Sequence, residues 1–98
     1  MSTTIAQTIL TQLGGNRFLA MTGAKQLVDL GNGLQFAIGR GAKNKANKVV
    51  IRLEGDVYRV TFYNIRGVNF KECGEFGTVY ADRLAAIFTE QTGFDTHL

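Results

Sequence analysis

Residues 49–63, VVIRLEGDVYRVTFY, decide the fold because they describe two β-strands and the turn between them. Apolar side chains recur at every second position from Val49 to Leu53, and the alternation resumes after the turn. A period of two is typical of a strand that buries one face and exposes the other. The glycine in Glu54-Gly55-Asp56 indicates a tight turn, because glycine accepts backbone angles that other residues avoid. The stretch therefore predicts an antiparallel hairpin.

Other segments on both sides of this hairpin also have strand character. Apolar and polar residues alternate over Leu34–Ile38, which predicts a half-buried strand. Within Asn16–Thr22, residues 18–21 are apolar at both parities, so we expect a strand covered on both faces. Gln26–Leu30 fits either a short strand or an irregular crossing. Val68 and Phe70 indicate one more strand.

Helices are predicted at both ends of the chain. The apolar residues from Ile5 to Leu13 follow a helical stripe, which an N-terminal Ser or Thr can cap and which Gly14-Gly15 can end. A second stripe predicts a helix over Thr78–Thr92, and Gly93 ends it.

The order of these elements predicts a single α+β domain, residues 1–98. We expect one antiparallel sheet of about four or five strands flanked by an N-terminal and a C-terminal helix (α-β-β-β-β-α), with the helices on one face. The composition is 45% hydrophobic and 19% charged, which is typical of a globular chain and not of a disordered one.

Few residues suit catalysis or metal binding. The single histidine, His97, and the single serine, Ser2, lie near opposite termini, so we expect no Ser-His-Asp arrangement. Cys73 is the single cysteine, which excludes an internal disulfide and a cysteine-based zinc site. We therefore predict a non-enzymatic protein with no catalytic residue, no metal site and no cofactor. A carboxylate-dependent enzyme stays as an alternative, because the sequence does not place the acidic residues in space.

Two glycine-containing segments have part of the composition of nucleotide-binding loops. In residues 13–25, LGGNRFLAMTGAK, Gly15 and Gly23 are too far apart for the P-loop pattern, and Ala24 separates Gly23 from Lys25. After Gly39-Arg40-Gly41, Asn44 stands where the dinucleotide-binding pattern needs its last glycine. Neither segment is therefore predicted to bind a nucleotide.

The basic character of the chain is concentrated in one loop. The formal net charge is +3, and outside residues 39–48 the acids outnumber the cations. This basic loop, GRGAKNKANK, contains four cations and no acid: Arg40, Lys43, Lys45 and Lys48. A local excess of cations is typical of a surface that binds phosphates. The same lysines also fit a solvated loop with no binding role.

A second polar group lies on the predicted sheet face that is turned away from the core. Arg52, Arg59 and Tyr63 have the parity opposite to the core residues, and Arg66 follows at the strand end. Cations beside an aromatic ring can bind phosphates and stack bases, although single-strand binders usually have two or more aromatics. The main support for this hypothesis is lost if the basic loop and the Arg59 face do not form one patch. The predicted nucleic-acid-binding residues are Arg40, Lys43, Lys45, Lys48, Arg52, Arg59, Tyr63 and Arg66.

Leu13–Lys25 resembles an N-terminal motif, LGGN-[KR]-F-x-AMTGAK, of short, largely uncharacterised proteins of tailed phages and prophages. The resemblance continues through Leu34–Ile38 and Val49–Phe62 and recurs in short segments near the C-terminus. It implies a phage-encoded protein in the cytoplasm of a bacterial host, and it brings no catalytic residues with it. Small phage proteins of this kind commonly serve DNA metabolism or block host defences.

Two functions fit these observations. The first is a small phage-encoded accessory protein that binds nucleic acid through the basic loop and the strand face. The alternative is an inhibitor or adaptor that binds a host or phage protein, such as a host defence enzyme.

No signal-peptide pattern and no apolar run near the roughly 20 residues of a membrane span occur, so we expect a cytoplasmic protein that does not engage a membrane. An open sheet edge could also pair with a second copy to form a homodimer.

Overall fold

A meander of five antiparallel strands forms one sheet in the computed structural model, which describes residues 4–39 and 41–94. Strands that follow each other in the chain are neighbours in the sheet. Their bounds are β1 Lys25–Asp29, β2 Gly33–Ala37, β3 Lys48–Glu54, β4 Val57–Arg66 and β5 Asn69–Val79. The predicted hairpin is confirmed as β3–β4, with Glu54 opposite Val57 across the turn. The predicted α+β class is confirmed as well.

Helices before and after the sheet pack their apolar sides on one of its faces, as expected. Thr4 caps the first helix, because its Oγ1 accepts a hydrogen bond from the Gln7 amide at 3.1 Å. Gly14 ends this helix, and its amide donates to the carbonyls of Leu10 and Thr11. The helix bounds are α1 Ile5–Leu13, α2 Asn16–Thr22 and α3 Leu84–Thr92, with a 3₁₀ turn at Ala81–Arg83 before α3.

The segment Asn16–Thr22 is the helix α2, and the strand predicted there is wrong. It buries only Phe18 and Thr22, which lie four residues apart and therefore on one side of a helix. A short apolar run fits both periods, but Leu, Ala and Met favour a helix. Positive φ angles at Gly15 (63°) and Gly23 (68°) bound the helix on both sides.

The helix predicted over Thr78–Thr92 begins later than expected. Val79 is the last residue of β5, where it is buried opposite Tyr58. The 3₁₀ turn follows, and α3 starts only at Leu84. An apolar residue at position 79 fits both a helical stripe and a strand, so periodicity does not locate the boundary.

β1 combines both interpretations that the sequence left open for Gln26–Leu30. Lys25–Asp29 pairs with β2, but the pairing slips between Lys25 and Val28. Gln26 has a φ of 56°, and the strand is exposed throughout. β1 is thus a short, irregular edge strand.

β5 contains a bulge that changes which of its residues share a face with those of β4. Phe62 pairs with Gly74, but the next residue, Tyr63, pairs with Glu72. Cys73 is therefore an extra residue on β5. Because side chains alternate between the two faces of a strand, one extra residue reverses the alternation beyond it.

Four phenylalanines join the helices to the sheet. Phe18 of α2 meets Phe36 of β2 edge-on, with ring centroids 5.3 Å apart, and meets Phe88 of α3 at 5.1 Å. Phe62 of β4 lies 6.5 Å from Phe88. All four rings are at most 1% exposed. Edge-to-face pairs of buried rings add to the stabilisation that burial itself provides.

The two helices that carry these rings end with the same pattern, Phe-x-x-x-Thr-Gly, at residues 18–23 and 88–93. The hydroxyls of Thr22 and Thr92 each donate to the carbonyl of the phenylalanine four residues earlier, both at 2.7 Å. Each hydroxyl oxygen also accepts from the amide two residues later, at 3.3 Å after Thr22 and 3.1 Å after Thr92. The buried threonine thus satisfies its own polar atom and closes the helix end beside the core.

The close approach of β2 to β3 predicts that Gly33→Ala destabilises the protein. A Cβ at Gly33 would overlap the carbonyl oxygen of Ile51 and lie 2.9 Å from the Cα of Arg52, so the backbones must separate. We expect a loss of about 1–3 kcal/mol in the free energy of unfolding, measured by urea denaturation.

Gly39→Ala is the matched control, because the nearest atom to its added Cβ is the Thr22 carbonyl oxygen at 3.5 Å, an ordinary contact. We expect a change within about 1 kcal/mol for this variant. Equal urea midpoints for the two variants would contradict the close approach.

Candidate nucleic-acid interface

The backbone of the basic loop is fixed to the C-terminal ends of α2 and α3. The Gly39 amide donates to the Thr22 carbonyl at 3.4 Å, and the Lys43 amide donates to the Thr92 carbonyl at 2.8 Å. The last carbonyls of a helix have no partner within the helix, so the loop satisfies two of them. These ends carry the negative pole of the helix dipole, which favours cations in the loop.

The other side of the basic loop is tied to β4. The side chain of Asn47 accepts from the Ile65 amide at 2.9 Å and donates to the Ile65 carbonyl at 2.8 Å, as a paired strand would do. The Asn64 side chain donates to the Lys45 carbonyl at 2.7 Å. Ala42 of the loop is buried in the core. The described residues of the loop are therefore a fixed part of the fold.

The structure divides the predicted binding residues between the two sides of the sheet. Lys48, Arg52, Arg59 and Tyr63 line a concavity on the face turned away from the helices. Lys45 and Arg66 line a separate cleft on the helix side. Lys43 lies apart from both concavities, with its aliphatic chain beside Gly93, and Arg40 lies outside the described residues. Lys48 is thus the only described cation of the basic loop that shares a concavity with Arg59.

Parity explains this division. Tyr63 and Arg66 are three residues apart on β4, and an odd spacing puts two side chains on opposite faces of a strand. Lys45 lies in the loop before β3 and lines the helix-side cleft, whereas Lys48 is the first residue of β3. Proximity in the sequence therefore does not place these cations on one surface.

The helix-side concavity, which we call the basic cleft, consists of two adjoining depressions of about 580 and 320 Å³. Both are lined by Lys45, Asn64 and Arg66, and Asn69 and Lys71 complete the smaller one. Among residues 4–39 and 41–94, no carboxylate lines either depression. Lysine, arginine and asparagine all donate hydrogen bonds to phosphate oxygens. The cleft is therefore suited to a phosphate group.

Lys71 is a cleft residue that the sequence analysis did not assign. The turn Gly67-Val68 joins β4 to β5 in two residues, with a φ of 59° at the glycine. Arg66 is therefore paired with Asn69, and Lys71 lies opposite Asn64. A two-residue loop that begins with glycine is a recognised hairpin signal, so the pairing of Lys71 with Asn64 could have been predicted from Gly67-Val68.

The concavity on the other side, which we call the open face, has a volume of about 660 Å³. Val50 and Thr61 form its floor, and Thr61 is only 7% exposed. Within the described part of the chain its lining contains three cations and one carboxylate. The full lining is Gln35, Lys48, Val50, Arg52, Arg59, Thr61, Tyr63, Ile65, Phe70 and Glu75.

Both arginines on the open face already have partners within the protein. Arg59 donates from Nε to Glu54 at 3.0 Å and from Nη1 to Glu75 at 2.9 Å. The hydrogen bond to Glu54, followed by that to Glu75, raises the pKa of the Arg59 guanidinium above its usual value. Arg52 donates to the side-chain oxygen of Asn32 at 2.9 Å. Arg59 thus already pairs with two carboxylates, which compete with phosphates for its guanidinium.

A second aromatic residue lies on the open face. Phe70 pairs with Ile65 and Glu72 pairs with Tyr63, so Phe70 is a diagonal neighbour of Tyr63 on the same side of the sheet. Phe70 is 71% exposed. The sequence indicated a strand at Phe70 but not its role, because its face follows from the pairing with Ile65 across the Gly67-Val68 turn.

Other chemical sites find little support in the described residues. Within them no group of three or more His, Cys, Asp or Glu side chains could hold a metal ion, and no helix is long and apolar enough to cross a membrane. Cys73 is a half-buried free thiol. Ser2 and His97 lie outside the described residues. Comparison of the chain with protein-family models, curated proteins and solved structures gave no match.

The attachment of the basic loop to β4 predicts that Asn47→Ala destabilises the protein. The substitution leaves the amide and the carbonyl of Ile65 without their partner. We expect a loss of about 1–3 kcal/mol in the free energy of unfolding and faster hydrogen exchange at the Ile65 amide. Asn16→Ala, at an exposed position of α2, is the control, and we expect a change within about 0.5 kcal/mol. Unchanged exchange at Ile65 in Asn47→Ala would contradict this attachment.

Proposed function

We propose that this protein is a small non-enzymatic accessory protein that binds nucleic acid, with the basic cleft in contact with the phosphates. One observation carries the proposal: Lys45, Arg66 and Lys71 converge on a cleft whose described lining contains no carboxylate. These cations come from the basic loop and from both strands of the β4–β5 hairpin. A cluster with no acidic partner attracts a polyanion, because no internal ion pair has to be broken first.

The geometry of the cleft supports a preformed site. The backbone of Lys45 is held by Asn64, and Lys45 donates its own amide to the Ala42 carbonyl at 2.9 Å. Arg66 and Lys71 project from paired strands. Groups on a rigid frame lose less conformational entropy when they bind a ligand. The expected phosphate contacts are therefore Lys45, Arg66 and Lys71, whereas Arg59 has a structural role.

The resemblance to tailed-phage proteins supports a role in the cytoplasm of a bacterial host, acting on phage or host nucleic acid. A homodimer remains part of the proposal, because β1 and β5 are the two edge strands of the sheet and each could pair with a second copy.

A second candidate function is the binding of a host or phage protein through the end of the β4–β5 hairpin. Val68 is 91% exposed and Phe70 is 71% exposed, and exposed apolar groups often mark protein contacts. Such a complex would tolerate salt and would weaken in Val68→Ser. Recovery of the same partner from nuclease-treated host lysate with both Val68→Ser and the unmodified protein would argue against it.

The proposed phosphate contact predicts that Arg66→Glu with Lys71→Glu weakens binding to fluorescently labelled DNA at least about tenfold at low salt. The slope of log K against log salt should also fall by about 0.9 for each duplex phosphate contact that is lost. Fluorescence anisotropy at a series of salt concentrations measures both quantities.

Arg17→Glu with Arg83→Glu is the matched control, because both arginines are exposed, lie outside the cleft lining and give the same net charge when reversed. This variant should keep most of the affinity and the salt slope. Equal weakening in both double variants, or no binding of the unmodified protein at low salt, would overturn the proposal. Thermal unfolding of each variant verifies that it is folded.

A further inference from the structure

The open face combines two aromatic rings with an apolar floor. Tyr63 and Phe70 are diagonal neighbours across β4 and β5, a relation that places side chains roughly 7–8 Å apart, within reach of one another for aromatic rings. Val50 and Ile65 add apolar surface beside them. The concavity of about 660 Å³ falls within the usual range of ligand-binding pockets. A flat, apolar ring system therefore fits this end of the face.

Polar groups of the open face complement a nucleotide. Lys48 and Arg52 supply positive charge along β3, while the carboxylate of Glu75 is already bonded to Arg59. The amide of Gln35 can donate to and accept from the edge of a base. Aromatic rings beside cations are the arrangement by which sheets hold unpaired bases.

The open face and the basic cleft lie on opposite sides of one two-stranded ribbon. Tyr63 and Phe70 project from one side of the β4–β5 hairpin, and Arg66 and Lys71 project from the other. The two sets are separated only by the thickness of the strands. A ligand that uses both must turn sharply around the hairpin end.

Only one form of nucleic acid can make that turn. Duplex DNA has a persistence length of about 50 nm, so it cannot bend around a single hairpin, and its bases are stacked inside. A single strand is flexible, and its bases are free to stack on protein rings. The two surfaces are therefore complementary to a single strand.

We infer that the open face binds unpaired bases by stacking on Phe70 and Tyr63, so that the protein selects single-stranded over duplex nucleic acid. This inference rests on the proposed function, because the basic cleft supplies the phosphate contacts of the same strand. Duplex nucleic acid reaches the basic cleft alone.

The inference is tested with Phe70→Leu, which removes the ring and keeps an apolar side chain. Tyr80→Leu is the matched control, because Tyr80 is 58% exposed and lies outside the lining of both concavities. Three probes of equal length are compared by fluorescence anisotropy: oligothymidylate, an oligomer of abasic sites and a duplex. Thermal unfolding verifies that both variants are folded.

We expect Phe70→Leu to weaken binding to oligothymidylate at least about fivefold, since stacking on an aromatic ring contributes about 1–3 kcal/mol per base. Its affinity for the abasic oligomer and for the duplex should not change. Tyr80→Leu should bind all three probes as the unmodified protein does.

The outcomes that overturn the inference differ from those that overturn the proposed function. Unchanged binding of oligothymidylate by Phe70→Leu, or equal losses on oligothymidylate and the abasic oligomer, would reject base stacking and leave the phosphate contact standing. A dimer that Phe70→Leu dissociates in sedimentation would instead assign this face to a second copy of the chain. If the unmodified protein binds none of the probes at low salt, the proposed function falls first.

Discussion

The structure depends on how α2 and α3 end. Each helix inserts a phenylalanine into the core and, one turn later, a threonine that returns its hydroxyl to the carbonyl of that phenylalanine. A helix end normally needs water for its last carbonyls, and burial beside a core would leave them unpaired. Here Thr22 and Thr92 offer their own carbonyls to the basic loop. In each helix, the six-residue pattern Phe-x-x-x-Thr-Gly thus packs the core, closes the helix and positions the loop.

The anchored loop determines where the positive charge lies. Because its backbone is bonded to two helix ends and to β4, Lys45 faces the helix side of the hairpin and Lys48 continues into β3 on the other side. Acidic residues then distinguish the two surfaces. Glu54 and Glu75 converge on Arg59, whereas no described carboxylate lines the basic cleft. Charge counted along the sequence shows the excess, but only the register shows which cations lack an acidic partner.

The sequence predicted the parts of the fold that have one dominant local signal. The β3–β4 hairpin follows from strict alternation around Gly55, and α1 follows from its apolar stripe and its Thr4 cap. The run NRFLAMT was misjudged because four apolar residues in succession satisfy both periods, and burial of Phe18 and Thr22 on one side identifies the helix. The candidate site was predicted residue by residue but not as surfaces. Its geometry depends on pairing between β4 and β5, to which local patterns contribute only the turn at Gly67.

The bulge at Cys73 sets the phase of the hairpin. If the pairing of Thr61 with Glu75 continued without interruption, Tyr63 would meet Cys73 and Ile65 would meet Lys71. The lysine would then project into the open face, and Phe70 would project into the basic cleft. One additional residue thus sorts aromatic from cationic side chains along the whole outer part of the ribbon. The same sequence paired without the bulge would exchange the chemistry of the two surfaces.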